Sequence, residues 1–474
     1  MMLKTQRSAA IQVENTRPLE CAPMPERPSS WKSKFVVLFA ALLANAAIVL
    51  VGLPNLSSLM GPSYNLHYNL ELGDLYDVIA KNLDQGNGYR ADARMSETML
   101  REPGYPLFLA GIFKLGGYSM RTARIGCVLL AFGAALLLLR LTRKITGDSR
   151  IALLAALLFL FYPGVLVAET RAGIEIPCIF TMMLFMLALH GAVKKGSLGR
   201  YGAAGLLLGT AVVVRSEVLL FPVLLLAYLL FAAKGWAQRR RMVRAIALLA
   251  LGTAVVMSPW IIRNYRLVHS FVPTATIAGL AAQAGLYTCE NTSLGEPFFV
   301  ADGEAGLERK EIARQLGIPF TGPYFQLFYT PQDELVFYRA LLTRVSAEYR
   351  SHPEVLAGCA AKNLFFNFWF LGKTPKSVLL NVLVQAPLLA LALAGIVVLW
   401  KRKLLRNAGI ILLYILYIPA VHAPMVAEAR YSTLIVPFLA TLAAVSLMSV
   451  WYTLGARGFR PFMNLATSEE QGSP

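Results

Sequence analysis

The chain has 474 residues, 56% of them hydrophobic and only 15% charged, with a mean hydropathy of +0.55. Soluble domains carry about 25% charged residues, so a water-soluble globular protein is excluded. A net charge of +18 would suit nucleic acid, but the basic residues sit in short clusters between apolar runs. Cytoplasmic loops of membrane proteins look like this, and nucleic acid is excluded too. The chain reads as an all-α polytopic membrane protein.

Residues 1–34 are polar and rich in proline, lysine and arginine and read as a cytoplasmic tail. The apolar run from Phe35 to about Leu56 is too long for a signal-peptide core and lacks a small-residue cleavage site. It therefore reads as an uncleaved anchor with its N-terminus inside, which puts a first outer loop, about 57–120, on the far face. Leu75, Val78, Ile79 and Leu83 recur in this loop at helical spacing. Gly86, Gly88 and Pro103-Gly104 then punctuate it. Tyr105–Leu115 is too short to span and reads as interfacial.

Further apolar runs follow at Ile125–Leu141, Leu153–Val167, Ile176–Ala192, Ala203–Val214, Val218–Ala233 and Ala245–Ile262. A second outer region, 263–376, contains the apolar, aromatic stretch Ala357–Leu371. That stretch is either an interfacial helix or one more helix against the bundle. Val378–Trp400, Ile410–Val421 and Ser432–Trp451 complete about ten expected spans, and 452–474 reads as a second cytoplasmic tail. The basic clusters TRKITGDSR, KKGSLGR, KGWAQRRRMVR and KRKLLR mark the inner ends under the positive-inside rule. Five tryptophans (31, 236, 260, 400 and 451) stand at or near span ends, as interfacial belt residues do.

The outer ends differ from the inner ones because they mix acids with arginines. Arg121 with Arg124, Glu169 with Arg171 and Glu175, Arg215 with Glu217, Arg263, and Glu428 with Arg430 all border apolar spans. Charges at the membrane edge are costly and mark function or paired networks. With Asp74 they point to one polar cavity at the outer leaflet, whose arginines suit a phosphate and whose carboxylates suit a base. Tyr76, Arg101, Glu102 and Tyr105 lie in the same loop as Asp74, although an Asp before an amphipathic run also caps a helix. Tyr431 reads as packing.

No phosphate-binding loop, dinucleotide fingerprint or Ser/His/Asp order is present, and the five histidines form no HExxH. The five cysteines show no CxxC or metal spacing; Cys289 and Cys359 could both lie outside the cytoplasm and pair.

The segments GDLYDVIAKNLDQGNGY, REPGYPLFLAG, FYPGVLVAETRAGIEIP, GLLLGTAVVVRSEVLLFP, SPWIIRNYRLVHSFVPT, HPEVLAGCAAKNLFFNFW and EARYSTLIVPFLATLAA stand in an order that resembles the membrane-embedded GT-C glycosyltransferases. That group includes the protein O-mannosyltransferases and the aminoarabinose transferase of lipid A. The resemblance implies a multi-pass plasma-membrane transferase, both termini cytoplasmic, with interfacial helices in the first outer loop and an extracytoplasmic site. It would take a sugar from a polyprenyl-phosphate carrier and pass it to a glycolipid, polysaccharide or protein. The family's acceptor-engaging acid maps onto Asp74, with Asp77 and Glu71 as alternatives because relatives space this acid differently from the tyrosine. The phosphate-side cations map onto Arg215, Arg263 and Arg430, and the glutamate at the head of a span maps onto Glu175, with Glu169 as competitor. Members differ in metal need, and no ligand set for a divalent metal stands out here. A lipid-linked-sugar flippase would place charges mid-membrane and show repeats, and an O-antigen-ligase-type enzyme would place its apparatus in a late loop. Both fit less well.

Overall fold

The computed structural model describes residues 31–54, 74–290, 304–322, 326–371 and 375–456. Glu71, most of the first tail, the second tail from 457 and the start of the first outer loop lie outside the described residues.

Every regular element among the described residues is helical. Helix α1 (Trp31–Ala47) runs into a π-turn at Ile48–Gly52. Ahead of the next long helix come α2 (Tyr76–Asp84) and α3 (Gly104–Gly116). Next come α4 (Met120–Thr146), α5 (Ser149–Leu160), α6 (Pro163–Thr170), α7 (Glu175–Lys195) and α8 (Leu198–Val214). A 3-10 turn at Ser216–Leu220 leads into α9 (Phe221–Ala232), and α10 (Trp236–Val268) follows. After α10 come α11 (Ala278–Glu290), α12 (Glu304–Gln315), α13 (Pro331–Ser351) and α14 (Pro353–Lys362). Helices α15 (Pro375–Lys401) and α16 (Leu405–His422), a 3-10 turn at Ala429–Ile435 and α17 (Val436–Ala456) close the chain.

Six of these helical stretches are long and apolar enough to cross a bilayer, and α5 with α6, bent by 50° at Phe161-Tyr162, makes a seventh. The other three expected spans are apolar helices at Val36–Gly52, Leu198–Val214 and Ser216–Ala232, each too short for that test. The count of ten is therefore not reached by length alone. The Ala357–Leu371 stretch is a helix carrying a π-turn at Asn363–Asn367. It leaves Phe365 and Phe366 exposed, as an interfacial segment does.

Close packing here depends on small residues. A Cβ at Gly205 of α8 would run into the carbonyl oxygen of Leu249 on α10, and one at Gly252 into that of Gly202. Lipid tails are as apolar as leucine, so helices in a bilayer gain by bringing backbones together across such positions. Helices α8 and α10 run in the same direction and arrive together at the face where α2 and α3 lie. A disulfide joins Cys289 of α11 to Cys359 of α14, the pairing that the sequence leaves open. Between α10 and α13, the buried Glu334 carboxylate accepts from the Thr98 and Thr276 hydroxyls, both at 2.7 Å, and from the Met99 amide at 2.8 Å. Burial pushes its carboxyl up, against those three hydrogen bonds and Arg263. This brace ties the segment ahead of α3 to α13 and to the chain that follows α10.

Candidate active site

The acid–arginine groups come together from five segments of the chain. Arg101 sits just ahead of α3, Glu175 heads α7, and Arg215 terminates α8. Arg430 and Tyr431 open the 3-10 turn before α17, and Asp74 precedes α2.

Asp74 does not cap its helix. The N-cap of α2 is Leu75, held at φ 67° with no side-chain bond. A leucine in the left-handed region costs about 1–2 kcal/mol, and such strain collects at functional sites. The turn aims the Asp74 carboxylate between two guanidiniums: Nη2 of Arg101 is 3.4 Å from Oδ1, and Nη1 of Arg430 is 3.4 Å from Oδ2. Arg101 also donates through Nε to the Asp74 carbonyl at 2.9 Å and lies over the Tyr76 ring at 4.9 Å. Burial works to raise the Asp74 carboxyl, but Arg430, Arg101 and Arg215 together hold it below its ordinary value. The side chain keeps 26% of its surface exposed, so the ionised carboxylate is open to solvent.

Arg430 bridges from Asp74 to Glu428, which its Nε meets at 2.9 Å. Arg215 is clamped between Glu217 at 2.8 Å and Glu175 at 3.6 Å. Tyr431 joins the two arginines: Arg215 lies 5.2 Å and Arg430 5.0 Å from its ring centre, and Arg430 donates to its hydroxyl at 3.2 Å. His422 stacks on the same ring at 4.6 Å and reaches Glu217 at 3.2 Å. Tyr431 is thus buried packing, as the sequence suggests, and also the platform on which the cations are set.

Three expected site residues act differently from their neighbours. Arg263 pairs with Glu97 at 3.4 Å, donates to the Thr98 carbonyl at 2.9 Å, and is sandwiched between Trp260 and Tyr89. It stands one layer behind the Asp74 cluster, linked to it through Tyr89, whose hydroxyl donates to the Arg101 and Glu102 carbonyls. Glu102 is turned inward and accepts the Ser216 amide at 3.1 Å, bracing α3 against the end of α8. Tyr105 is 1% exposed; its hydroxyl donates to the Ala172 carbonyl, and its ring supports Tyr76 edge-on at 5.4 Å. The convergence expected of Arg215, Arg263 and Arg430 on Asp74 is thus realised by Arg430 directly and by Arg215 through Tyr431.

Glu169, the competitor of Glu175, is fully buried away from Arg215, and Arg124 beside it donates to the Thr170 carbonyl at 2.6 Å. Asp77 is buried on α2, its carboxyl raised to about 6 by burial, and accepts from the Tyr118 hydroxyl at 3.3 Å. Among the described residues no group of three or more His, Cys, Asp or Glu is placed to hold a metal ion.

Sequence reasoning missed Tyr431 as an organiser, His422, Glu97 and Glu334. Their roles depend on contacts between distant segments, and their immediate sequence context is unremarkable apolar or loop sequence.

The fold is that of the membrane-embedded GT-C glycosyltransferases. Residues 101–262, about a third of the chain, match the family model described as dolichyl-phosphate-mannose-protein mannosyltransferase. The apo oligosaccharyltransferase of Archaeoglobus fulgidus superposes with a TM-score of 0.53 at 14% identity, over 90% of this chain and 51% of its own. AglB of the same organism, in complex with an inhibitory peptide and a dolichol-phosphate, gives 0.52 at 15% identity over 90% and 52%. The chain thus spans about half the length of these archaeal enzymes. ArnT from Cupriavidus metallidurans bound to undecaprenyl phosphate is also similar, at 17% identity over 90% of this chain and 80% of its own, with a TM-score of 0.40. No curated protein sequence matches the chain.

Proposed function

We propose that this chain is a plasma-membrane glycosyltransferase that moves a hexose or pentose from a polyprenyl-phosphate carrier to an acceptor hydroxyl on the extracytoplasmic face. The acceptor is a glycolipid, a polysaccharide or a protein. Residues 35–451 form the transferase domain, with both flanking tails cytoplasmic and the loops 57–120 and 263–376 outside.

The observation that carries this reading is Asp74, a partly exposed carboxylate held ionised between Arg101 and Arg430 within a fold used for such transfers. The family match to mannosyltransferases that use dolichyl phosphate supports a lipid-phosphate donor, and so does the dolichol-phosphate in the archaeal neighbour. The acceptor oxygen attacks the anomeric carbon as the carbon–oxygen bond to phosphate breaks. The electron pair leaves on the phosphate, and the hydroxyl proton passes to Asp74. A carboxylate made weakly basic by two arginines takes that proton late, when the acceptor oxygen is already bonding. Arg430 and Arg215 meet the charge developing on the phosphate, the job of preorganised cations.

The test uses purified protein and a radiolabelled polyprenyl-phosphate sugar, with bound donor and transferred sugar scored separately. Mass spectrometry of envelope glycans and lipids with and without the gene identifies the product. An unchanged envelope together with no donor binding would overturn the reading.

A further inference from the structure

At the membrane face opposite Asp74, α15 and α17 end side by side. They come closest at Gly395, where a Cβ would run into the Leu442 carbonyl oxygen. Beyond that crossing lies a groove of about 510 Å³, within the range of ligand-sized clefts, about 300–1,000 Å³. Ala394, Val397 and Val398 form one wall, and Ser449, Val450 and Thr453 the other. The Thr453 hydroxyl is turned back onto the Ser449 carbonyl at 2.9 Å, so that wall presents mostly carbon.

The mouth of the groove is cationic. Arg402 reaches the Ser449 hydroxyl with Nη2 at 3.4 Å, and Lys401, Arg402 and Lys403 are all exposed. No aspartate or glutamate occurs from 355 to 427 or from 429 to 456. Among the described residues Asp148 approaches from another element and is occupied: it accepts the Tyr452 hydroxyl at 2.7 Å and caps α5 through the Arg150 and Ile151 amides. The positive-inside rule accounts for basic residues on this face but not for an apolar slot opening directly beneath them.

We propose that this groove binds one anionic phospholipid, with an acyl chain between α15 and α17 and its phosphate against Arg402 and the flanking lysines. Arginine's planar fork suits the phosphate, and a zwitterionic lipid brings the same chain without the net charge that the mouth attracts.

The test is native mass spectrometry of the full chain released from mild detergent, after exchange into equal phosphatidylglycerol and phosphatidylcholine with identical tails. One phosphatidylglycerol per chain is expected to survive where phosphatidylcholine does not. Arg402→Gln changes only an exposed side chain and is expected to lower retention about five-fold, the worth of one cation at a charged surface. Val398→Trp fills the slot and is expected to abolish retention with the cations intact. Equal retention of the two lipids would overturn the proposal. So would Arg402→Gln and Val398→Trp proteins that both hold phosphatidylglycerol as the unaltered chain does.

Discussion

Asp74 and Arg430 are 356 residues apart in the chain, yet Nη1 of Arg430 lies 3.4 Å from Oδ2 of Asp74. The pair closes the site by joining the first outer loop to the turn ahead of the last helix. Asp74→Asn keeps the shape and removes the proposed base, so transfer is expected to fall about 10²–10⁴-fold while donor binding persists. Donor binding is read by filter retention and transfer by labelled product. Wild-type turnover in this variant would remove Asp74 from the chemistry. The surrounding arginines also keep Asp74 ionised below its ordinary range, so the acid limb of the rate profile should lie at lower pH than an ordinary aspartate would set.

Arg430 and Arg263 are expected to separate in their effects. Arg430→Ala removes a cation from the cluster and should weaken donor binding and turnover together. Arg263→Ala removes the tie to Glu97 and Thr98, one layer back. It should lower the thermal midpoint and leave the donor affinity of the folded fraction within about three-fold, given that pairs without direct contact act almost independently. Matching losses of donor affinity in the two variants would return Arg263 to the phosphate.

Asp77 sets a pH dependence of stability. Its folded carboxyl is raised from 3.8 to about 6 by burial, so between those values the folded state binds more protons than the unfolded chain. Stability is then fully present below pH 3.8 and declines as the pH rises through about 6. Asp77→Asn relieves the buried charge and should stabilise the protein at pH 7.5 by on the order of 2–3 kcal/mol. The gain should vanish near pH 4 in thermal melts in detergent.

The Cys289–Cys359 bridge closes a separation of 70 residues. Bridges of this kind contribute about 2–4 kcal/mol and form outside the cytoplasm. Peptide mapping without reductant should recover the linked pair from membranes, and Cys359→Ala should lower the melting midpoint. Two free thiols in freshly prepared membranes would place the second outer region on the cytoplasmic side.

Much of the fold was legible because hydropathy and charge bias act through local sequence. The runs at 125–141, 176–192 and 378–400 became helices at those positions, and the amphipathic spacing of Leu75, Val78, Ile79 and Leu83 became α2. The acid–arginine asymmetry also picked out residues that the fold gathers at one end of the bundle. Partner choice was not legible. Arg215 and Arg263 look alike in sequence, each closing an apolar run with a carboxylate or an aromatic nearby. Only the packing of α8 and α10 decides that one faces Tyr431 and the other Glu97. Glu334 carries no local signal at all, since its three donors come from residues 98, 99 and 276.

Arg215 follows a helix of only 17 residues, about 26 Å at 1.5 Å per residue, against a hydrocarbon core of about 30 Å. The glycine contacts between α8 and α10 keep that helix from adjusting its height by sliding. On the proposed function, with α8 as a span, the guanidinium would lie below the plane of the surrounding headgroups, and the bilayer would thin locally for a phosphate to descend to it. On that reading, thickness becomes a determinant of turnover. In vesicles of progressively longer acyl chains the rate should fall as the membrane lifts the carrier's phosphate away from Arg215, with the protein itself unaltered.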